Sequence, residues 1–282
     1  MRQSGTQLLG EAIQVLKDAG VDDPARDARR LFAYALGVGS DRLTLCLPEP
    51  VTEEAQAKFA QVIERRSRRE PVSHIIGRRS FFGRDFVVSR DVLDPRPETE
   101  ILVEIALQRR FNRLLDLGTG SGCILISLLA EMPNARGVGS DISATACSVA
   151  ARNAEIHGVQ DRAEILVSDW DDKIAGKFDL IVSNPPYIAL SEMSQLSPEV
   201  RDWEPYGALT DGGDGLGAYR AICEAVPPLL IPGGRLMVEV GHRQGRSVAD
   251  LFRFVGFEKV SIIPDLDSRD RVVMGEMPVA VV

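Results

Sequence analysis

The sequence predicts an α/β chain, and three observations carry that prediction. From Glu98 onward, short apolar runs alternate with helical stretches, the pattern of a parallel sheet flanked by helices. One of those runs, Leu114-Leu115-Asp116-Leu117, passes through Gly118, Gly120 and Gly122 directly into a helical stretch, which puts the glycines at the carboxyl edge of the sheet, where open α/β folds bind ligands. Before Glu98 the periodicity is helical, followed by a β-rich interlude. The expectation is a Rossmann-like α/β domain preceded by a small helical bundle and a β-hairpin linker. Its boundaries are 1–74 for the helical domain, 75–95 for the linker and 96–282 for the α/β domain.

Taken in order, residues 4–19 place Leu8, Leu9, Ala12, Ile13 and Leu16 on one helical face, and Gly20 stands where a helix commonly stops. Asp22 or Asp23 can cap a second helix whose first position suits Pro24; its buried stripe is Ala28, Leu31, Phe32, Ala35 and Leu36, and Gly37 follows. A short helix near 40–45 and a longer one from Thr52 to about Arg69 complete the bundle. From Ile75 to Val92, two β-rich runs separated by Gly83 read as the hairpin, and Pro95 and Pro97 punctuate the boundary. Strands are expected at 113–117, 136–140, 163–167, 178–182, 234–240, 259–263 and 271–276. The last two follow a helix near 244–254 with no further crossover, so they are expected as an antiparallel pair at the sheet's edge.

A chain of 282 residues with 44% apolar content can bury a substantial core. Its net charge of −8 weighs against a protein that grips nucleic-acid phosphates. The acidity lies after residue 95, whereas 65–90 is locally basic, with Arg65, Arg66, Arg68, Arg69, Arg78, Arg79, Arg84 and Arg90 against Glu70 and Asp85. That stretch reads either as a solvated helix end whose cations complement the macrodipole or as a docking face for a protein partner. No apolar run approaches the roughly 20 residues that span a bilayer, and the N-terminal residues lack a signal peptide's unbroken apolar core. A cytoplasmic protein without a membrane partner is expected. Cys46, Cys123, Cys147 and Cys223 have no paired spacing, so no metal site or disulfide frame is indicated. His74, His157 and His242 lie outside the motifs and read as structural.

A glycine turn alone is weak ground for a cofactor, because it serves equally as a tight turn. A dinucleotide fingerprint needs its third glycine where Cys123 stands, and a phosphate-binding loop needs a Gly-Lys-Ser/Thr ending that is missing. Asp141 ends the second strand about 20 residues beyond the glycines, where a carboxylate accepts ribose hydroxyl protons. Asp141 or Ser143 can also cap the helix through Ala146, Val149 and Ala150. Ser168-Asp169-Trp170 follows the third strand, and Trp170 suits either an adenine base or the core.

The chemistry-bearing motif is Asn184-Pro185-Pro186-Tyr187, directly after the run 178–183. Two prolines hold the turn rigid. The Asn184 side-chain oxygen and the Pro185 carbonyl can then accept both N–H bonds of one planar amino group, with Tyr187 over its face. The competing reading is a proline-rich turn that closes a strand. These motifs predict an adenosine-bearing ligand held beside a planar, amide-like or aniline-like nitrogen.

Together, Asp116 through Gly122, Asp141, Ser168-Asp169-Trp170 and Asn184-Pro185-Pro186-Tyr187 resemble the HemK/PrmC family, the protein-glutamine N5-methyltransferases that modify the Gly-Gly-Gln glutamine of class 1 peptide release factors. The resemblance covers nearly the whole chain. It includes Pro95-Arg96-Pro97-Glu98-Thr99-Glu100, where the family usually has Asp at 98, the stretch from Glu204-Pro205 through Gly212-Gly213-Asp214-Gly215-Leu216 to Tyr219-Arg220, and Glu239-Val240-Gly241. Ribosomal-protein glutamine methyltransferases typically carry a Pro-Arg-Ser-Pro type sequence in place of the first segment. Asp267-Ser268-Arg269-Asp270-Arg271-Val272-Val273 likewise resembles the release-factor branch.

The resemblance implies a class I S-adenosylmethionine-dependent methyltransferase domain at 96–282 and substrate recognition by 1–74. It implies cofactor contacts from Asp116, Gly118, Thr119, Gly120, Ser121, Gly122, Asp141, Asp169, Trp170 and Asn184. Asn184 and Pro185 are its catalytic residues, and Pro186 and Tyr187 join them in holding substrate. The implied partner is a class 1 release factor, met by a monomer without metal or nucleic acid. Adenine-N6 nucleic-acid methyltransferases hold a flipped amino group by the same geometry, but the acidic charge and the lack of a DNA-reading insert weigh against them. Intact motifs weigh against a non-catalytic cofactor-binding regulator. The stretch 189–215 exceeds common connections and is a candidate lid.

Overall fold

The computed structural model describes residues 3–279. They form two compact units, one comprising the described residues up to Arg78 together with Ser197–Trp203, the other Arg79–Leu196 and the residues from Glu204 onward.

The first unit contains helices Gly5–Asp18, Pro24–Leu36, Leu43–Cys46, Glu53–Ser67 and Val72–Ile76. Each longer helix is started by a side chain that accepts an otherwise unpaired N–H. Ser4 and Gln7 form a reciprocal capping box, Asp23 accepts from the Arg26 amide and Thr52 from the Ala55 amide. Their apolar faces meet in a core that includes Leu9, Leu16, Leu31, Phe32, Phe59 and Val62, with the Phe32 and Phe59 rings 4.5 Å apart. Beside this core lies a buried charge. The Arg66 guanidinium donates to Asp27 Oδ2 and to Glu199 Oε1, both at 2.8 Å, and Arg69 donates to the same Glu199 oxygen at 2.7 Å. Burial opposes ionisation of Glu199, but hydrogen bonds from Arg69 and Arg66 outweigh it and hold the carboxyl below its usual value. Elsewhere in the basic stretch, Arg65 pairs with Glu70, Arg68 with Glu64, Arg79 with Asp94 and Arg84 with Glu131. These arginines are therefore paired with carboxylates rather than offered as free cations.

The β-rich stretch departs from the expectation at its start. Residues Val72–Ile76 make a helical turn that opens after Pro71 and ends at Gly77, so the β-branched pair Ile75-Ile76 is helical despite its strand propensity. The hairpin follows as β1 (Arg78–Phe81) and β2 (Arg84–Val87). Phe81 and Phe86 are buried in the core of the second unit, and Asn153 pairs with the Val87 backbone in both directions, at 2.8 and 3.0 Å.

The second unit is built on β3 (Arg113–Leu117), β4 (Arg136–Asp141), β5 (Ala163–Val167), β6 (Phe178–Ser183), β7 (Leu230–Glu239), β8 (Glu258–Pro264) and β9 (Asp270–Glu276). The sheet order is β5-β4-β3-β6-β7-β9-β8. Strands β3 to β7 run parallel, and β9 is antiparallel to both β7 and β8. Both faces are buried, which is why the parallel strands read as nearly unbroken apolar runs. Leu114, Leu180, Val182 and Met237 face one core, and Leu115, Leu117, Ile181, Leu236 and Val238 face the other. Two irregularities interrupt the ladder. Phe178 pairs with Leu230 but Leu180 with Arg235, so Pro232-Gly233-Gly234 bulges out of β7. On β8 the register shifts between Glu258 and Ser261, where Lys259 has a φ of 49°.

Arg66 has a side chain 6% exposed, so removing Asp27 leaves a buried Nε–H without its acceptor and the charge with Glu199 alone. Asp27→Ala is expected to destabilise the helical unit by about 3 kcal/mol. Glu64→Ala, which removes an exposed pair with Arg68, should change stability by less than ~0.5 kcal/mol. Chemical denaturation followed by circular dichroism checks both; equal effects would contradict the account of Arg66.

Candidate active site

The ends of four strands define the site. Leu117 at the end of β3 pairs with Ser183 of β6 and Ser140 of β4, and Asp141 at the end of β4 pairs with Val167 of β5. The chain order of strands reverses between β3 and β6, and crevices form at such a switch point. A cavity of about 780 Å³ lies there, lined among others by Gly118, Thr119, Gly120, Ser121, Asp141, Asp169, Trp170, Asn184 and Pro186. Its volume is within the roughly 300–1,000 Å³ range of small-molecule sites. Asp116, Gly122, Pro185 and Tyr187 are not among the lining residues.

Those four stand behind the wall. Asp116 is fully buried beneath the turn, where the Thr119 hydroxyl donates to its Oδ2 at 2.8 Å. Burial pushes its carboxyl up to about 7, against the hydrogen bond from Thr119. Gly122 is the N-cap of helix Cys123–Glu131 with a φ of 79°, and a Cβ there would lie 2.8 Å from Ile126 Cδ1 and 3.2 Å from Ala150 Cβ. The left-handed backbone and the close approach of Ala150 therefore favour glycine here. Gly120 differs: its φ is 55°, it lines the cavity, and a Cβ on it would meet no atom within 4 Å. That free space is room for a ligand.

Asp141 is fixed by two backbone amides, Gly120 N–H to Oδ2 and Ser143 N–H to Oδ1, each at 2.9 Å. Ser143, not Asp141, caps helix Ala144–Ile156, by accepting from the Ala146 amide. Each Asp141 oxygen thus keeps a second lone pair for a ribose hydroxyl. Its neighbour Ile142 is 71% exposed and lines the cavity, an apolar surface against which a base can lie. Trp170 joins the lining from a backbone with a φ of 41°. Such a φ is costly for a bulky residue; the Ser168 hydroxyl helps hold the turn, donating to the Trp170 carbonyl at 3.2 Å and accepting from the Lys173 amide at 3.0 Å.

At the end of β6, Asn184 Nδ2 donates to Thr99 Oγ1 at 3.3 Å, while Asn184 Oδ1 is buried with no hydrogen-bond partner among the described residues. Tyr187 packs against the core of the second face, and its hydroxyl lies 3.5 Å from Glu239 Oε1. Burial raises the Tyr187 phenol above its ordinary value, so it stays a neutral donor. The long connection that follows is closed at its base by Ile188 N–H to Leu209 O and Leu190 N–H to Gly213 O, both at 2.9 Å. Asp211 shapes its return by accepting the amides of Gly213, Gly215 and Gly217.

The lining carries Asp91, Asp141, Asp169, Asp211 and Asp214 with Arg96 and Arg220. Both arginines are neutralised, Arg96 by Glu204 at 2.6 and 2.7 Å and Arg220 by Asp214 at 2.5 Å. The excess negative charge suits a cationic ligand. Sequence reasoning assigned no chemistry to Arg96, Thr99, Glu204 or Glu239, which stand in the segments that carried the resemblance. Nor did it single out Ile142, whose signal is an apolar residue placed immediately after the strand-end carboxylate.

A seven-stranded sheet with its last strand reversed, a crevice at the switch point and room there for adenosine beside negative charge place this chain among the class I S-adenosylmethionine-dependent methyltransferases. A methyltransferase from Pyrococcus furiosus shares the fold, with a TM-score of 0.55 at 17% identity over 71% of this chain and 92% of that one. The PrmC N-terminal domain family matches residues 7–77, and the Methyltransferase small domain family matches 79–197. Two similar curated proteins are each named release factor glutamine methyltransferase. The one from Cereibacter sphaeroides is 53% identical over 96% of this chain and 98% of its own length, and the one from Rhodospirillum rubrum is 47% identical over 95% and 83%. The chain belongs to the release factor glutamine methyltransferase family.

The two glycines are expected to fail differently. Gly120→Ala should weaken S-adenosylmethionine binding tenfold or more by calorimetry, with a stability cost of about 1–2 kcal/mol for its left-handed backbone. Gly122→Ala adds overpacking and should cost roughly 3 kcal/mol or more. Identical stability losses in the two variants would contradict this division.

Proposed function

We propose that the chain transfers the methyl group of S-adenosylmethionine to the side-chain amide nitrogen, N5, of the Gly-Gly-Gln glutamine in class 1 peptide release factors. The observation that carries this reading is the Asn184 Oδ1 atom, buried and without a donor. Leaving a buried acceptor unpaired costs about 1–3 kcal/mol, a cost removed when an N–H of the substrate arrives. The Pro185 carbonyl precedes Pro186, which has no N–H to offer, and it supplies the second acceptor. Two acceptors on one rigid turn match both N–H bonds of a primary carboxamide, and their spacing fixes the plane of that group.

An amide nitrogen is a weak nucleophile because its lone pair is delocalised into the carbonyl. Accepting both N–H bonds pushes electron density back onto nitrogen and holds it in one orientation, so much of the rate gain comes from positioning. Bound S-adenosylmethionine supplies an electrophilic methyl on a positively charged sulfur. Asp141 holds ribose hydroxyls, Ile142 and Trp170 enclose the base, and Gly118 and Gly120 leave space for the donor's body. Tyr187 backs the turn, and Pro186 walls the acceptor side.

The names of the two relatives, at 53% and 47% identity, support a release factor as the substrate. On this reading the helical residues 1–74 recognise the protein substrate, and a single chain acts in the cytoplasm, where translation ends. Among the described residues no helix is long and apolar enough to cross a membrane.

Mass spectrometry of a release factor incubated with the enzyme and S-adenosylmethionine should place one methyl on the Gly-Gly-Gln glutamine. Asn184→Ala should lose about 10²–10³-fold in turnover, the magnitude typical of a deleted polar group at a reacting centre, with a far smaller loss of cofactor affinity. Near-wild-type turnover in that variant, or methyl found on adenine of duplex DNA instead, would overturn the assignment.

A further inference from the structure

A carboxamide has two orientations related by a half-turn, and only one of them offers Asn184 Oδ1 to an incoming N–H. Something must choose between them. Thr99 lies in the turn Pro97–Thr99, 2% exposed, and its hydroxyl donates to Glu239 Oε2 at 2.6 Å. A hydroxyl has a single proton. With that proton directed at Glu239, Thr99 turns only lone pairs toward Asn184 and must accept from Nδ2, as it does at 3.3 Å. Oδ1 is thereby left without a donor. Glu239 is fully buried and is itself held: Arg271 Nη1 lies 3.9 Å from Oε1, the Tyr187 hydroxyl 3.5 Å from the same atom, and Asp265 anchors Arg271 at 3.2 Å. The Tyr219 hydroxyl donates to the Glu239 main-chain oxygen at 2.9 Å, which fixes the strand end.

We propose that Thr99 and Glu239 are positioning residues for methyl transfer, forming a directional relay from the buried carboxylate through the hydroxyl to the Asn184 amide. This inference rests on the reading that Asn184 Oδ1 accepts the glutamine N–H. If the relay is cut, the amide is free to turn, and in the turned state Nδ2–H meets the substrate's own N–H. Donor faces donor, and that fraction of the enzyme is unproductive.

The relay has a protonation signature. Burial pushes the Glu239 carboxyl up to about 7, helped by Glu98 and opposed by the Thr99 hydrogen bond, the Arg271 charge and the Tyr187 hydroxyl; Tyr219 and Cys123 also feel its charge, and burial keeps the phenol and the thiol neutral. As a carboxylate Glu239 only accepts. Once protonated it has a proton of its own to give to Thr99, whose hydroxyl is then free to donate to Oδ1 and block it. Turnover should therefore rise with pH through about 7.

The test compares wild type, Thr99→Val and Thr99→Ser with full-length release factor as substrate. Thr99→Val should lose about tenfold or more in kcat/KM, hold its S-adenosylmethionine Kd within about twofold, and lose the acid limb of the pH profile. Thr99→Ser, which restores the hydroxyl, should recover to within about threefold of wild type. If Thr99→Val fails to fold by circular dichroism, Thr99→Ala carries the same comparison. Wild-type kcat/KM in the hydroxyl-free variant, or equal impairment of Val and Ser, would overturn the relay. Should that happen while Asn184→Ala remains inactive, the glutamine reading stands without it; a wild-type enzyme inert toward release factor would remove both.

Discussion

The pairing of Leu117 with Ser183 makes two parallel strands stop at the same level of the sheet. One continues into the glycine turn and the other into Asn184, so the two motifs leave neighbouring strands, about 4.8 Å apart. The Ser183 hydroxyl ties the two together by donating to the Leu117 carbonyl at 2.6 Å. A slip of one residue would turn Leu180 and Val182 toward the opposite core from the one they fill. The packing of both sheet faces thus enforces the spacing on which the chemistry depends.

The same edge carries three buried carboxyls, Asp116, Glu204 and Glu239, each pushed up to about 7 chiefly by burial. Carboxyls in such surroundings weaken the fold unless they are well partnered. Two of them serve as directors of threonine hydroxyls: Thr119 donates to Asp116 at 2.8 Å and Thr99 to Glu239 at 2.6 Å. In each case the acceptor takes the hydroxyl's only proton, which shapes the glycine turn in the first case and orients the carboxamide in the second. Glu204 instead neutralises Arg96 at the cavity wall. Asp116 and Glu239 thus each fix the direction of a threonine hydroxyl.

Much of this was legible in the chain because it rests on local pattern. Strand–glycine–helix, the acidic end of β4 and Asn184-Pro185-Pro186-Tyr187 are contiguous signals, and the sheet's strands other than β7 lie within one residue of their expected bounds. Where the reading failed, a distant partner decided the outcome. Pro232-Gly233-Gly234 suggests a turn before a strand, yet β7 already begins at Leu230, because its bulge is opposed by Phe178 of a strand far away in sequence. Ile75-Ile76 reads as strand, but Pro71 and Gly77 bracket a helical turn. Thr99 and Glu239 stand 140 positions apart, and no local periodicity marks a pair that only the sheet brings together. Nor did spacing separate Gly120, which leaves room for a ligand, from Gly122, which lets a helix approach.

The irregularity on β8 also bears on how copies of this chain behave at high concentration. An outermost strand is a template for association, since its unpaired amides and carbonyls invite a stranger's backbone. Here that rim is broken: the ladder skips between Glu258 and Ser261, Lys259 adopts a left-handed backbone, and its ammonium is drawn back to Glu276 at 2.7 Å. A kinked, charged border offers no straight row for another strand to extend, so the protein keeps a largely apolar sheet while discouraging fibre-like growth from its side.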